Sequence, residues 1–270
     1  MTRSTVRCGQ APLAGLDPPM SCAPDIDWNA LDFASFARLA GDVSLSKYQK
    51  IGFPDSYRAG FEEKIFADIC AKLPRLRDRD LTVLDIGPGC SDLPMMLIEL
   101  CRAQGHRLCF VDSAEMLAQL PDAPFIDKRP GLFPKCRAAL ADLRGGVAVA
   151  LCYSVLHYVF VDANVFDFVD VAIELLAPGG EMLIGDIPNA SKRARFFASD
   201  AGIAFHRRFT GGESPPPPAE ASPARGKLDD AAVLGLLARA RAADADAYVV
   251  PQGPGLPMAN RREDILLRRP

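Results

Sequence analysis

The chain has 270 residues, and its 31 Lys and Arg against 34 Asp and Glu give a formal net charge of −3 at neutral pH. With 49% apolar and 24% charged residues it has the composition of a globular protein with a sizeable core, which excludes a disordered or fibrous chain. No apolar run reaches the roughly 20 residues of a membrane span, and the acidic balance lacks the basic excess that nucleic-acid binding demands, despite Arg-rich patches at 205–208 and 261–269.

The first twenty residues carry Gln10, Pro12, Asp17, Pro18 and Pro19 where a signal peptide would be continuously apolar. The expectation is a cytoplasmic protein with a frayed N-terminus, a small-molecule partner and no membrane contact; nucleic acid is disfavoured and a homodimer is allowed. The eight cysteines, at 8, 22, 70, 90, 101, 109, 136 and 152, form no CxxC pair. They argue against zinc and disulfide frameworks, and several read as small hydrophobes in apolar segments.

Leu31, Phe33, Phe36, Ala37 and Leu39 suggest a short helix, and the polar, aromatic stretch from Lys47 to Arg58 fits neither period. Phe61, Ile65, Ile69 and Leu73 recur every four residues and predict a helix over about 57–73, capped by Ser56 and stopped by Pro74. From residue 81 strands and helices alternate: strands at 81–86, 108–111, 124–126, 147–152 and 181–184, and helices at 93–101, 114–120, about 134–143 and 162–176. A further helix near 190–198 follows the last of these strands. Strands separated by helices imply right-handed crossovers and a mostly parallel sheet covered on both faces, a doubly wound α/β domain.

Residues 211–226, with four consecutive prolines at 215–218, read as an exposed loop. Leu228, Val233, Leu234, Leu237 and Ala240 then predict a helix, and 247–250 and 265–268 two strands joined by about fourteen residues.

The most informative stretch is Val83-Leu84-Asp85-Ile86-Gly87-Pro88-Gly89-Cys90-Ser91-Asp92, a buried strand, a turn with two glycines and a helix start. Ligands of open parallel sheets bind beyond the carboxyl ends of the strands, where glycine lets the backbone approach them. A dinucleotide fingerprint would have glycine where Asp92 stands, and Asp92 takes the helix N-terminal field that a pyrophosphate would use. That setting suits a ligand with an ammonium group and no phosphate, such as S-adenosylmethionine. Asp112, at the end of the next strand, is placed to accept hydrogen bonds from ribose hydroxyls.

VLDIGPGCSD resembles the first motif of the class I S-adenosylmethionine-dependent methyltransferases, FVDSAEML the region after it, LCYSVLHYV the fourth-strand motif and LLAPGGEMLIGD the approach to the fifth strand. The resemblance covers about 75–270 and implies a Rossmann-like methyltransferase sheet with an antiparallel last strand, preceded by a tail and helical cap at 1–74. It implies S-adenosylmethionine as cofactor, with Gly87 and Gly89 lining its methionine part, Asp85 holding its ammonium group, Asp112 and the adjacent Ser113 at the ribose, and Ser154 and Leu156 near the sulfonium. Asp127 falls in the stretch of the acid that reaches the adenine, although Arg129-Pro130-Gly131 is not the usual continuation. KYQKIGFPDSYR and LPMANRREDILLRRP are similar to methyltransferases of bacterial polysaccharide and sugar gene clusters, which implies a sugar or sugar-derived acceptor and O-methylation.

A hydroxyl acceptor benefits from a base, for which His157 and Asp186 are the candidates at the carboxyl edge of the sheet; each has the alternative of a packing or capping role. Lys47, Tyr48, Lys50, Tyr57 and Arg58, with Arg261 and Arg262 from the last loop, form either a lid suited to an anionic group on the acceptor or a solvated face. His106 and His206 read as surface residues, Phe33, Phe36 and Phe53 as core staples, and Trp28 decides nothing. No cluster of acids and histidines suggests a metal. The competing functional readings are a catalytically silent adenosylmethionine-binding or assembly protein and a nucleic-acid or protein methyltransferase. An aminopropyl transferase would need an acid-rich pocket, and a nicotinamide-dependent oxidoreductase a phosphate-friendly turn.

Overall fold

The computed structural model describes residues 31–216 and 226–270. Trp28, Cys8, Cys22 and most of the expected proline-rich loop lie outside them.

Seven strands form one sheet in the order β3-β2-β1-β4-β5-β7-β6. They are β1 Thr82–Ile86, β2 Arg107–Asp112, β3 Ile126–Pro130, β4 Val147–Tyr153, β5 Leu176–Pro188, β6 Asp246–Pro251 and β7 Arg262–Arg268. β1 to β5 pair in parallel, whereas β7 runs antiparallel to both β5 and β6. The order reverses between β1 and β4, and that switch point is where a crevice opens beyond the strand ends.

The helices are α1 Phe33–Gly41, α2 Asp55–Arg58, α3 Glu62–Lys72, α4 Asp92–Gln104, α5 Ala114–Leu117, α6 Leu156–Asp162, α7 Val165–Leu175, α8 Ala190–Phe197, α9 Asp200–Thr210 and α10 Asp230–Ala242. Strand alternation splits the core between the two faces of the sheet. Leu84 and Ile86 of β1, with Ala150 and Cys152 of β4, point to the layer built by α7 and α10; Val83, Val149 and Leu151 point to the layer of α3 and α4. Cys70, Cys101, Cys109 and Cys152 are buried free thiols, as their apolar surroundings predict.

Several expected boundaries shift for local reasons. The helix anticipated over 57–73 is two, because Gly60 takes a left-handed φ of 79° between α2 and α3. Ser56 lies inside α2, so the cap expected of it falls to Pro54, which has no capping side chain. The stretch anticipated as a helix near 134–143 is a 3-10 turn at Arg137–Leu143, and the one at 162–176 is α7, which starts at Val165 because the Asn164 side chain caps it by accepting from the Phe166 and Asp167 amides; α6 before it was not anticipated. α9 was not anticipated; Ser199 caps it by accepting from Gly202 N–H, and Gly211 ends it at φ 66°. His106 and His206 are buried rather than at the surface, at 0% and 4% exposure. His106 accepts the Leu81 amide at Nδ1 (3.1 Å), with Nε2 3.1 Å from the Leu76 carbonyl, so it ties the 3-10 turn after α3 to β2.

Candidate active site

A cavity of about 910 Å³, counting its open mouth, lies beyond the carboxyl ends of β1, β2 and β4. Its floor is the glycine turn. Gly87 and Gly89 have φ values of 71° and 67°, and a Cβ on either would come within 2.6 Å of a Val155 or Ile51 methyl, so the turn needs glycine both for conformation and for space. Ser91 caps α4 by accepting from Leu93 N–H.

Asp112 ends β2 on the cavity wall. Its Oδ2 accepts from Gly89 N–H at 3.4 Å and its Oδ1 from Ser113 N–H at 2.7 Å, which aligns the carboxylate across the turn. Burial outweighs these two bonds and pushes its pKa up to about 6. Asp85 lies in β1 behind the wall at 4% exposure, and burial, then the neighbouring Asp112, hold its carboxyl well above the carboxylate range. Ser113 is buried off the wall, and its hydroxyl caps α5 by accepting from Met116 N–H. Val111, Met116, Leu132, Phe133 and Val155 give the cavity an apolar slot beside Asp112.

The ends of β4 and β5 share a device. Ser154 and Asp186, directly after β4 and in the bulged end of β5, both adopt left-handed φ values, 63° and 59°. The Ser154 hydroxyl donates to Asp186 Oδ2 at 2.5 Å and accepts from Arg58 Nη2 at 2.5 Å. Arg262 Nη1 reaches the same Oδ2 at 2.6 Å, Gln252 Nε2 donates to Oδ1 at 3.3 Å, and the Asp186 amide donates to Asp264 Oδ1 at 2.8 Å. Lys72 of α3 closes the network on Asp264 Oδ2 at 2.7 Å. Gly185 is needed beside it, since a Cβ there would lie 2.3 Å from the Tyr153 ring.

Residues 31–58 cover this crevice. Lys47 Nζ donates to both Asp92 oxygens at 2.6 Å, and Tyr48 donates to Asp92 at 3.2 Å. Arg58 is buried, with its guanidinium 4.4 Å from the Phe53 ring centroid and 5.6 Å from that of Tyr153. Phe33, Phe36 and Phe53, expected as core staples, line the cavity instead, and Phe36 packs edge-on against Tyr158.

Of the anticipated site residues, Gly87, Gly89, Asp112, Ser154 and Arg58 stand on one cavity wall. Asp85, Asp186, His157 and Arg262 lie behind it. His157 is a neutral imidazole: burial, then Arg262, lower its pKa to about 3, and its Nδ1 has no hydrogen-bond partner among the described residues. Lys47 and Tyr48 bind Asp92 at the rim, Tyr57 lies half-buried off the wall, and Arg261 donates to Asn260. Asp127, in the first half of β3, is bonded by Arg107 (2.9 Å) and Arg129 (2.6 Å), three residues before the Pro130–Gly131 edge. Its carboxyl is held low chiefly by Arg129, and the cavity lining that follows this edge, Gly131, Leu132 and Phe133, is apolar. Sequence reasoning missed Tyr158 and Asp162 of α6 on the wall; their signal was their place just after the fourth-strand motif. Among the described residues no group of acids, histidines and cysteines is arranged to hold a metal.

No family model and no curated relative matches the chain. Solved structures do. The CurJ carbon methyltransferase aligns with 87% of this chain and 64% of its own at 16% identity and a TM-score of 0.52. The DszA carbon methyltransferase aligns with 88% and 67% at 15% identity and 0.51. A Listeria monocytogenes protein described as an S-adenosylmethionine-dependent methyltransferase aligns with 78% and 97% at 16% identity and 0.50. The fold is that of the class I methyltransferases. The chain spans about two thirds of the length of the two carbon methyltransferase structures.

The residues that line this cavity fit an adenosyl ligand. An apolar slot for a base adjoins a carboxylate with room for a diol, the glycine turn admits a ligand where a Cβ would not, and Asp85 is a buried acid whose nearest charge is another acid.

Proposed function

We propose that the protein is an S-adenosylmethionine-dependent methyltransferase for a small acceptor, a sugar or sugar-derived molecule methylated on a hydroxyl and carrying an acidic group. The observation that supports this reading is that Asp112 and the glycine turn share one covered cavity with the buried guanidinium of Arg58. The covering segment favours a compact acceptor over a polymer, which would need an open basic groove.

When bound, the cofactor supplies a methyl group on a sulfonium for in-line displacement. The chain's part is alignment and exclusion of water. Asp112, ionised above about pH 6, accepts the ribose hydroxyls, and the glycine turn brings backbone against the methionine part. Arg58, fixed by Ser154 and by two aromatic rings, presents its guanidinium to an acceptor carboxylate or phosphate. Asp186 is saturated by Ser154, Arg262 and Gln252, so in this reading it positions Arg58. His157, a base of pKa about 3, supports Tyr158, whose ring lies 4.0 Å away. Asp112 being committed to ribose, Asp162 is the wall carboxylate left to take the hydroxyl proton.

The test is transfer of a labelled methyl group to a panel of sugars, sugar acids and sugar nucleotides. Label should appear in acidic sugars and be lost in Asp162→Asn with binding of the demethylated cofactor intact. Folded protein that binds neither cofactor form would overturn the reading. Cofactor binding with no transfer across the panel would favour the silent scaffold.

A further inference from the structure

Glu62 opens α3, is 3% exposed, and neither of its carboxylate oxygens has a hydrogen-bond partner among the described residues. A buried carboxylate in that state costs stability, and no packing need explains an acid there. Its surroundings are specific. Arg58 attracts it but is bonded to Ser154; Lys47 attracts it but donates to both Asp92 oxygens; Asp92 repels it; and the Ser91 hydroxyl stands beside it without closing a hydrogen bond. Burial, the largest influence, raises its pKa.

Two of those neighbours, Arg58 and Ser91, belong to the cavity wall, so Glu62 lies one side chain behind it, on the glycine-turn side. Ile65, Ile69 and Leu73 of the same helix are fixed in the core under β1 and β4, which holds Glu62 in place. An acid kept buried, unpaired and rigid next to a ligand cavity is preorganised for a cation that arrives with the ligand.

We infer that Glu62, rather than Asp85 behind the wall in β1, receives the ammonium group at the amino-acid end of the cofactor, past Ser91, so that the covering segment binds the cofactor together with the sheet. The inference rests on the adenosylmethionine reading above. With the ribose on Asp112 and the chain of the ligand laid along the turn, the ammonium is the cationic donor that reaches the Ser91 end. It also makes cofactor binding and ordering of the cover one event, since Glu62 follows directly on the segment carrying Phe53 and Arg58.

The experiment is calorimetric titration of wild type and Glu62→Gln with two ligands, S-adenosylhomocysteine and 5′-methylthioadenosine, which lacks the amino-acid end, together with thermal unfolding of both proteins without ligand. The expected result is a ten- to hundredfold loss of homocysteine-ligand affinity in the variant, the size of one charge-assisted hydrogen bond. Methylthioadenosine affinity should stay within about twofold, and the unliganded variant should melt no lower than wild type, since a buried unpaired charge has been removed. Equal affinity of variant and wild type for the homocysteine ligand would overturn the inference. So would a parallel loss for both ligands or a lower melting temperature, either of which marks a structural role. Wild type that binds neither ligand would overturn the parent reading, and the role of Glu62 with it.

Discussion

Arg58 donates to the Ser154 hydroxyl at 2.5 Å across 96 positions of sequence, which ties the covering segment to the end of the fourth strand. Arg58→Met should keep the stem's packing on Phe53 and lose the guanidinium. Acceptor kcat/KM is expected to fall by roughly a hundredfold, in line with loss of a charge-assisted contact, while affinity for S-adenosylhomocysteine changes little. Stability should drop by about 1 to 3 kcal/mol, because Asp186 keeps Arg262. Steady-state kinetics with calorimetry and denaturant melts separate the three quantities, and an unchanged acceptor KM and kcat would count against the assignment.

The Asp112 carboxyl protonates near 6 in the folded protein, against 3.8 for a free aspartate side chain. The folded state therefore holds more protons between those values, and this residue's contribution to stability falls as pH rises from about 4 to about 6 and is level above. Ligand affinity should move the other way, rising through pH 6 as the acceptor ionises. Asp112→Asn should abolish that rise and leave the unliganded protein as stable or more so at pH 7. A flat affinity profile from pH 5 to 7 in the wild type would contradict this.

His157 shows the opposite linkage. Its pKa falls from 6.5 to about 3 on folding, so the unfolded chain binds the extra proton, and stability is lost as pH falls from about 6.5 towards 3. The imidazole stays neutral above pH 5, and a pH–rate profile should show no inflection that His157→Phe removes. The variant should instead flatten the acid side of the stability curve, read from urea melts at pH 4 to 7.

Gly87→Ala would put a Cβ at a φ of 71° and within 2.6 Å of a Val155 methyl. The left-handed backbone alone costs about 1 to 2 kcal/mol, and relief of the contact would push Val155 towards the apolar slot. Thermal unfolding should register the first effect, and weakened adenosine-ligand binding the second.

Asp127→Ala tests the adenine edge. Its partners Arg107 and Arg129 form a partly exposed ion-pair group with Asp142, so stability should fall by about 1 kcal/mol or less. Affinity for S-adenosylhomocysteine should be unchanged. A tenfold loss would return this acid to the site.

The sheet was legible because its central strands carry short, largely apolar runs at 83–86, 108–111 and 147–152, and the turn at 87–89 carries its chemistry in two glycines and the acids around them. Boundaries moved where a single residue decided them, Gly60 by its backbone and Asn164 by its capping side chain. The aromatic residues Phe33, Phe36 and Phe53 were misread because an apolar side chain looks the same whether it fills a core or walls a cavity. Sequence put His157 and Asp186 near the ends of the fourth and fifth strands, and the structure has them in α6 and in the bulged end of β5, but sequence could not show that Arg262, Gln252 and Asp264, all from the last hairpin, lie against Asp186. Nothing in the sequence singles out Glu62; its isolation follows from how Lys47 and Arg58 are engaged elsewhere.

The antiparallel strand β7 lies inside the sheet, between β5 and β6, and it brings Arg262 and Asp264 to the network. During synthesis β6 emerges before the strand it must pair with, so it waits unpaired until Arg268 has left the ribosome. The five parallel strands, β3 to β5 in sheet order, can assemble earlier. A nascent chain stalled before β7 would thus present a finished glycine turn with its cover already tied to Ser154 and Asp92, while Asp186 still lacked Arg262 and Asp264.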